Sequence, residues 1–238
     1  MRVYVLLIAH LLADFTLQTN EMASKKKTEL KWLLKHCAIY AVVMAGGCFL
    51  CMDIKSACWM FAWLGLSHLL IDYVRTIYDN KHKETIKALG SLVIDQTLHI
   101  GVIVFLCWLQ RNQKPSGYLL NFYDEATLDQ PLRYILLFVT MMDPASILVR
   151  KISHVVSYKT VDEIVLDENR AGSMIGKLER LIIALLVIND GYGSIAFVLT
   201  AKSLARYDKL SKEKFADIYL VGTLSSTTIA MVLAELLG

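Results

Sequence analysis

Three features of the sequence predict an all-α, polytopic membrane bundle with about eight membrane segments. The 238 residues are 55% hydrophobic, and their mean hydropathy of +0.47 is high for a soluble domain. Many apolar runs approach the ~20 residues that a helix needs to cross a hydrocarbon core. The basic residues concentrate in alternate connecting segments, as they do on the cytoplasmic side of multi-pass proteins.

The apolar runs, in chain order, are 2–19, 35–52, 56–78, 92–110, 132–149, 174–189, 191–205 and 217–237. The first run contains His10 and Asp14, which favours a permanent helix over a cleavable signal peptide. The pair at 174–189 and 191–205 is short, so six spans plus a re-entrant hairpin at 174–205 is the alternative. In such a hairpin Glu179 and Lys202 would face each other and pair.

These runs divide the chain into two membrane units. Residues 1–110 form a four-helix unit, 111–131 an external loop, and 132–238 a C-terminal unit with a cytoplasmic linker at 150–172. Lys and Arg concentrate near 20–35, 75–91, 150–180 and 202–214. The positive-inside bias therefore places those segments in the cytoplasm and both termini outside. The basic segments show no aromatic interleaving, so nucleic acid is not an expected partner.

Histidine and aspartate recur four residues apart inside the oily runs, in IAHLLADF, LSHLLIDY and VIDQTLHI. A spacing of four places both side chains on one face of a helix. Together with a further histidine, the pairs form what we call the His/Asp cluster: His10, Asp14, His36, His68, Asp72, Asp95 and His99. Ionisable groups are costly in a membrane, so they mark a functional site by default.

The predicted topology places the cluster at one depth. At 1.5 Å per residue the three pairs lie about 6 to 15 Å from the cytoplasmic ends of their helices. The shared motif His-Leu-Leu-x-Asp-aromatic at 10–15 and 68–73 also allows two parallel repeats. The outer halves of these helices are nearly all apolar, which favours a one-sided pocket over a conduit.

Imidazoles and carboxylates at bonding distance bind divalent transition metals, Zn²⁺ first and Mn²⁺ or Fe²⁺ as alternatives. A bound metal activates water, and Asp14 or Asp95 would serve as the general base. The hypothesis is a metal-dependent hydrolase acting on a lipid or membrane-proximal substrate. A proton or divalent-cation transporter would use the same residues. A structural or signalling subunit, such as a stress or defence effector, is the third alternative.

A second basic set lies in the C-terminal unit and could hold an anionic head group: Arg150, Arg180, Lys202 and Arg206. HExxH, P-loop, GxGxxG and GxSxG motifs are absent from the sequence, which disfavours a serine or cysteine hydrolase.

Several of these stretches resemble a known family. AHLLADFTLQT, His36, SHLLIDYVR and DQTLHI, and later ENRAGSMIGKLERLII, FVLTAKSLARY and YLVGTLSS, are similar to domain of unknown function 3307. Residues 111–142 show no resemblance to this family. The resemblance implies a bacterial inner-membrane location but no reaction. Membrane lipids are the expected partners, and a homo-oligomer is left open. A distant likeness to membrane-bound metal-dependent hydrolases is one of fold only.

Overall fold

The computed structural model describes residues 1–113, 117–161, 170–210 and 213–238. Within those ranges the regular structure is helical, and Glu84 and Thr160 form an isolated antiparallel bridge. The chain divides into two compact units. Unit 1 comprises Met1–His82 and Gly90–Val139, and unit 2 comprises Lys83–Leu89 and Thr140–Gly238.

Unit 1 contains the helices that carry the His/Asp cluster. They are α1 (Arg2–Leu11), which continues into a π turn at Leu12–Thr16, α2 (Asn20–Lys25), α3 (Leu30–Cys51), α4 (Ile54–Lys81) and most of α5 (Thr85–Leu109). A 3₁₀ turn at Tyr118–Asn121 and most of α6 (Glu125–Met141) complete this unit.

Side-chain caps mark where two of these helices begin. The Thr19 side chain accepts from the Met22 amide at the start of α2, and Asp53 accepts from the Ser56 amide at the start of α4. Such caps satisfy amides that have no partner within the helix. Hydrogen bonds from Ser56 also hold the pKa of the Asp53 carboxyl below its usual value. The chain therefore turns sharply at Met52-Asp53, and α3 and α4 pack against each other.

The apolar core of unit 1 lies on one side of the His/Asp cluster along the helices. Its buried members include Val5, Leu6, Ala9, Met44, Cys48, Met60, Leu64, Ile103 and Leu106. On α1 and α4 these residues precede the His/Asp pair, and on α3 and α5 they follow the cluster residues. The buried polar cluster and the apolar core thus occupy successive levels of the same helices.

Five helical stretches are long and apolar enough to cross a membrane, judged by length and composition among the described residues. They are Leu30–Cys51, Ile54–Lys81, Thr85–Leu109, Glu125–Ser157 and Phe215–Leu237. These findings are consistent with a membrane protein. The three other predicted segments correspond to α1 with its π turn and to two helices of unit 2, so the number eight stays a prediction.

Unit 2 contains α7 (Asp143–Ser157), α8 (Arg170–Ile188), α9 (Tyr192–Leu204), α10 (Tyr207–Leu210) and α11 (Glu213–Leu237). Helix α11 packs against α7 and α8. Asp190, which has a φ of 57°, lies in the turn between α8 and α9. The predicted pairing of Glu179 with Lys202 is confirmed, with Oε2 and Nζ 2.6 Å apart. The predicted linker at 150–172 is helical as far as Ser157, and its residues 162–169 lie outside the described ranges.

Close packing of α1 on α3 depends on Gly47. A Cβ at this position would lie 3.2 Å from the Ala9 Cβ and 3.5 Å from a Leu6 methyl group. A Cβ at the neighbouring Gly46 would meet nothing within 4 Å. The two adjacent glycines thus differ in packing while sharing a helix.

We expect Gly47→Val to lower the free energy of unfolding by about 1–3 kcal/mol relative to Gly46→Val, because only the first overpacks the α1–α3 contact. The change in helix propensity is common to both variants. Denaturant unfolding in detergent, followed by circular dichroism, measures the difference. Equal stabilities of the two variants would contradict this packing.

Candidate metal centre

A π turn marks the place where α1 reaches the cluster. The amide of Leu17 donates to the carbonyl of Leu12, five residues back, at 2.8 Å. π turns inside helices are rare and are frequent at functional sites. This one contains Asp14, which is buried, and directly follows the turn of His10. Local geometry therefore differs from that at His68 and Asp72, where α4 is regular.

Four buried side chains from three helical segments converge on one point: Asp14, His36, His68 and Asp72. Each offers a ligand atom, and these atoms lie within 4.8 Å of one another. His36 Nε2 is 3.2 Å from Asp14 Oδ1, 3.3 Å from Asp72 Oδ2 and 3.2 Å from His68 Nε2. His68 Nε2 and Asp72 Oδ2 are 3.8 Å apart.

Three of these four separations match the edge of a metal coordination tetrahedron, and the separation of His68 from Asp72 is longer. Bonds of 2.0–2.1 Å to nitrogen and oxygen place tetrahedral ligands about 3.3 Å apart. A single hydrogen on His36 Nε2 can point to only one of these three atoms, which are two carboxylate oxygens and the His68 ring nitrogen, so a hydrogen bond donated by His36 does not satisfy all of the contacts. The buried His/Asp groups could therefore hold a metal ion.

The third carboxylate, Asp95, lies beside this group in a network of its own. Its Oδ2 accepts from Arg75 Nη1 at 2.6 Å and from Gln96 Nε2 at 2.9 Å. Gln96 Nε2 also donates to Asp14 Oδ2 at 2.7 Å, so one amide ties α5 to α1. Asp95 and His99 form a second group with Asp72, whose ligand atoms again lie within 4.8 Å of one another.

Ring contacts hold the histidines in place. Tyr40 stacks on His68 with ring centroids 3.5 Å apart and an interplanar angle of 5°. His10 stacks on His99 at 5.2 Å, and its Nε2 lies 3.2 Å from Gln96 Oε1. His10 is thus beside the two metal-capable groups and belongs to neither. The other six members of the cluster all fall in one group or the other.

The charges of the cluster do not balance among the described residues. Asp14, Asp72 and Asp95 are buried, and apart from the histidines their salt-bridge partners are Lys26 and Arg75. With neutral imidazoles one negative charge is left over. A buried charge without compensation is costly, so the cluster favours one more positive charge, either a proton on His36, which contacts two of the carboxylates, or a metal cation.

Six polar atoms of the cluster have no hydrogen-bond partner among the described residues. They are Nδ1 of His10, His36 and His68, Oδ1 of Asp72 and Asp95, and Nε2 of His99. Each such buried atom costs about 1–3 kcal/mol when it is left unsatisfied. An arrangement this costly is expected where a site binds something.

Four residues of this site were not assigned by the sequence analysis: Lys26, Tyr40, Arg75 and Gln96. Tyr40 follows His36 by four residues and Arg75 follows Asp72 by three, so helical spacing could have found both. Gln96 was a polar residue in an apolar run. No sequence pattern links Lys26 to the site, because it lies 46 residues before Asp72 in the chain. Its ammonium donates to Asp72 Oδ2 at 2.8 Å.

The predicted head-group residues all lie in unit 2. The Arg180 guanidinium is buried and donates to the Met141 carbonyl at 2.9 Å and to the Ser226 hydroxyl at 3.2 Å. Lys202 pairs with Glu179, Arg206 is partly buried and Arg150 is exposed. The head-group role of these four residues stays a prediction.

The family described as "Protein of unknown function (DUF3307)" matches residues 3–124. This range covers more than half of the chain and contains the whole His/Asp cluster. The chain belongs to this family. The DUF3307 match extends to residue 124 and so includes part of the region 111–142, where the sequence showed no resemblance to the family. The match does not include the C-terminal stretches ENRAGSMIGKLERLII, FVLTAKSLARY and YLVGTLSS. No curated protein and no solved structure matches the chain.

We expect Arg75→Ala to lower the free energy of unfolding by about 3 kcal/mol, because it leaves the Asp95 carboxylate buried without its cation. Arg133→Ala is the matched control, since its ion pair with Asp129 spans 4.0 Å and is partly exposed. Its cost should stay below about 1 kcal/mol. Thermal unfolding in detergent compares the two, and equal losses would rule out a buried pair at Arg75.

Proposed function

We propose that unit 1 is a membrane-embedded metal-binding unit that hydrolyses a lipid or membrane-proximal substrate at the cytoplasmic side. The observation that carries the proposal is the convergence of buried ligand atoms from Asp14, His36, His68 and Asp72, which lie within 4.8 Å of one another. Two imidazoles with two carboxylates are a donor set that suits Zn²⁺, with Mn²⁺ and Fe²⁺ as alternatives.

The contacts around the centre support hydrolysis. A bound metal lowers the pKa of its water toward ~7, which makes a nucleophile available at neutral pH. A general base must then have a free oxygen. Both oxygens of Asp14 are engaged, by His36 and by Gln96, whereas Asp95 Oδ1 has no hydrogen-bond partner among the described residues. Around a single metal, Asp95 is therefore the better candidate base.

The apolar core of unit 1 favours a pocket over an ion path. From Val5 to Ala9 on α1 and from Met60 to Leu64 on α4, the buried side chains beyond the cluster are apolar. An ion crossing this level would lose its hydration without gaining ligands. A proton or cation transporter needs polar groups there, so we rank it second.

A surface groove supports an amphipathic substrate. It has a volume of about 310 Å³ and an apolar lining formed by Leu30, Leu33, Leu34, Leu66, Leu69, Leu70 and Tyr73. Leu33 precedes His36 by one turn, and Leu69 follows His68. Both helices are long and apolar enough to cross a membrane, so we assign the groove to a lipid acyl chain. A lipid whose acyl chain lies in this groove would then have its head group near the metal centre.

Protein purified in detergent without chelators should carry at least about one equivalent of transition metal per chain, measured by elemental analysis. His68→Ala should lose most of it, because a ligand is removed. His82→Ala is the control, since His82 lies outside the cluster and contacts the Tyr78 carbonyl. Chelation should lower the melting temperature of the wild type and Zn²⁺ should restore it, since a ligand stabilises the state that binds it. A metal-free wild type that Zn²⁺ does not stabilise would refute the metal centre.

Hydrolysis is tested with vesicles of phosphatidylglycerol and phosphatidylethanolamine containing the purified protein. We expect mass spectrometry to detect released head group, diacylglycerol or fatty acid, with loss of product after chelation and recovery with Zn²⁺. The His68→Ala protein should be inactive and His82→Ala fully active. Metal-dependent ion flux in the same vesicles, without any product, would favour the transporter instead.

A further inference from the structure

We propose that unit 1 holds a second divalent metal ion next to the first, with Asp72 bridging the two. The second ion would be bound by Asp72, Asp95 and His99. This inference rests on the proposed function and deepens it. It also changes the role of Asp95 from a general base to a ligand.

Asp72 belongs to both metal-capable groups. One group joins it to Asp14, His36 and His68, and the other joins it to Asp95 and His99. In each group the ligand atoms lie within 4.8 Å of one another. A carboxylate has two oxygens and about four lone-pair positions, so it can serve both groups at once. Two-metal enzymes hold their ions about 3.5–4 Å apart, a spacing that a shared carboxylate allows.

The second group is distinguished by its unpartnered atoms. Asp72 Oδ1, Asp95 Oδ1 and His99 Nε2 have no hydrogen-bond partner among the described residues. The three residues are 1%, 2% and 3% exposed, so water is excluded from them almost completely. Each member of the group therefore offers one buried atom with a free lone pair. We assign these three atoms to the second ion as its ligands.

The opposite end of each ligand is already held. Lys26 Nζ donates to Asp72 Oδ2, and Arg75 and Gln96 donate to Asp95 Oδ2. His99 Nδ1 lies 2.9 Å from the backbone carbonyl of Asp95, which makes it the N–H donor and leaves Nε2 as the lone-pair nitrogen. Metal ligands are typically oriented by partners of this kind. The arrangement leaves the free atoms of the second group available to one ion.

One divalent ion would already neutralise the excess negative charge of the site, so a second ion would need a bound anion to balance it. Arg75 is shared between Asp95 and Asp79, whose Oδ2 lies 3.8 Å from Arg75 Nε. The acidic side chains around α4 therefore exceed the cations that contact them among the described residues. Two divalent ions would bring the site to a net positive charge, which would attract an anionic substrate.

The experiment is metal counting on the detergent-purified full chain. Chelated protein is re-equilibrated separately with Zn²⁺ and with Mn²⁺, and bound metal is measured by elemental analysis. The Mn²⁺ samples are also examined by electron paramagnetic resonance. We expect two ions per wild-type chain and a spin-coupled Mn²⁺ spectrum. His99→Ala and the near-isosteric Asp95→Asn should each bind one ion and lose the coupling, while His82→Ala should keep both.

The outcomes separate this inference from the proposed function. No bound metal in the wild type would overturn both. One ion in the wild type, unchanged in His99→Ala and Asp95→Asn, would overturn the second site and leave the first intact. Two ions in all of these proteins would place the second ion elsewhere and so overturn the assignment to Asp72, Asp95 and His99. Circular dichroism and size-exclusion chromatography identify a variant that fails to fold. If His99→Ala or Asp95→Asn fails to fold, the number of ions bound by the other variant tests the second site.

Discussion

The ionisable side chains of unit 1 share one buried location because none of them can be left alone in an apolar interior. An isolated carboxylate or ammonium there would cost several kcal/mol. Four helices must therefore bring their polar residues to the same level. His36 Nε2 is the atom where this constraint is tightest, since two carboxylate oxygens and one imidazole nitrogen lie within 3.3 Å of it. The packing of α1, α3 and α4 follows from that convergence.

Long polar side chains bind the carboxylates that the helices bring together. Lys26 extends from the connection between α2 and α3 to reach Asp72, and Gln96 joins Asp14 to Asp95. Each carboxylate thereby has one oxygen fixed by a donor. Preorganisation of this kind lets a site select a cation without rearranging, because the orientation of the ligands is set before the ion arrives. The stacking of Tyr40 on His68 serves the same end through an apolar contact.

In unit 2 fewer buried polar atoms lack a hydrogen-bond partner among the described residues, namely Glu179 Oε1 and Thr227 Oγ1. The buried Arg180 distributes its donors over backbone carbonyls and the hydroxyl of Ser226, and Lys202 pairs with Glu179. Apart from those two atoms, these contacts match donors to acceptors and account for the packing of the helices. In unit 1, by contrast, acceptors outnumber donors. That difference is the physical reason to seek the binding site in unit 1.

The sequence alone determined the helical class, the apolar runs and the membership of the His/Asp cluster, because hydrophobic period and residue spacing are local properties. It also indicated that the pairs would meet, since charge bias and rise per residue bring them to one depth. Only the tertiary structure decided which atoms face one another. The π turn at Asp14, the reach of Lys26 and the exclusion of His10 from both metal-capable groups depend on contacts between residues far apart in the chain. Spacing along one helix cannot report such contacts, because they arise from how several helices pack together.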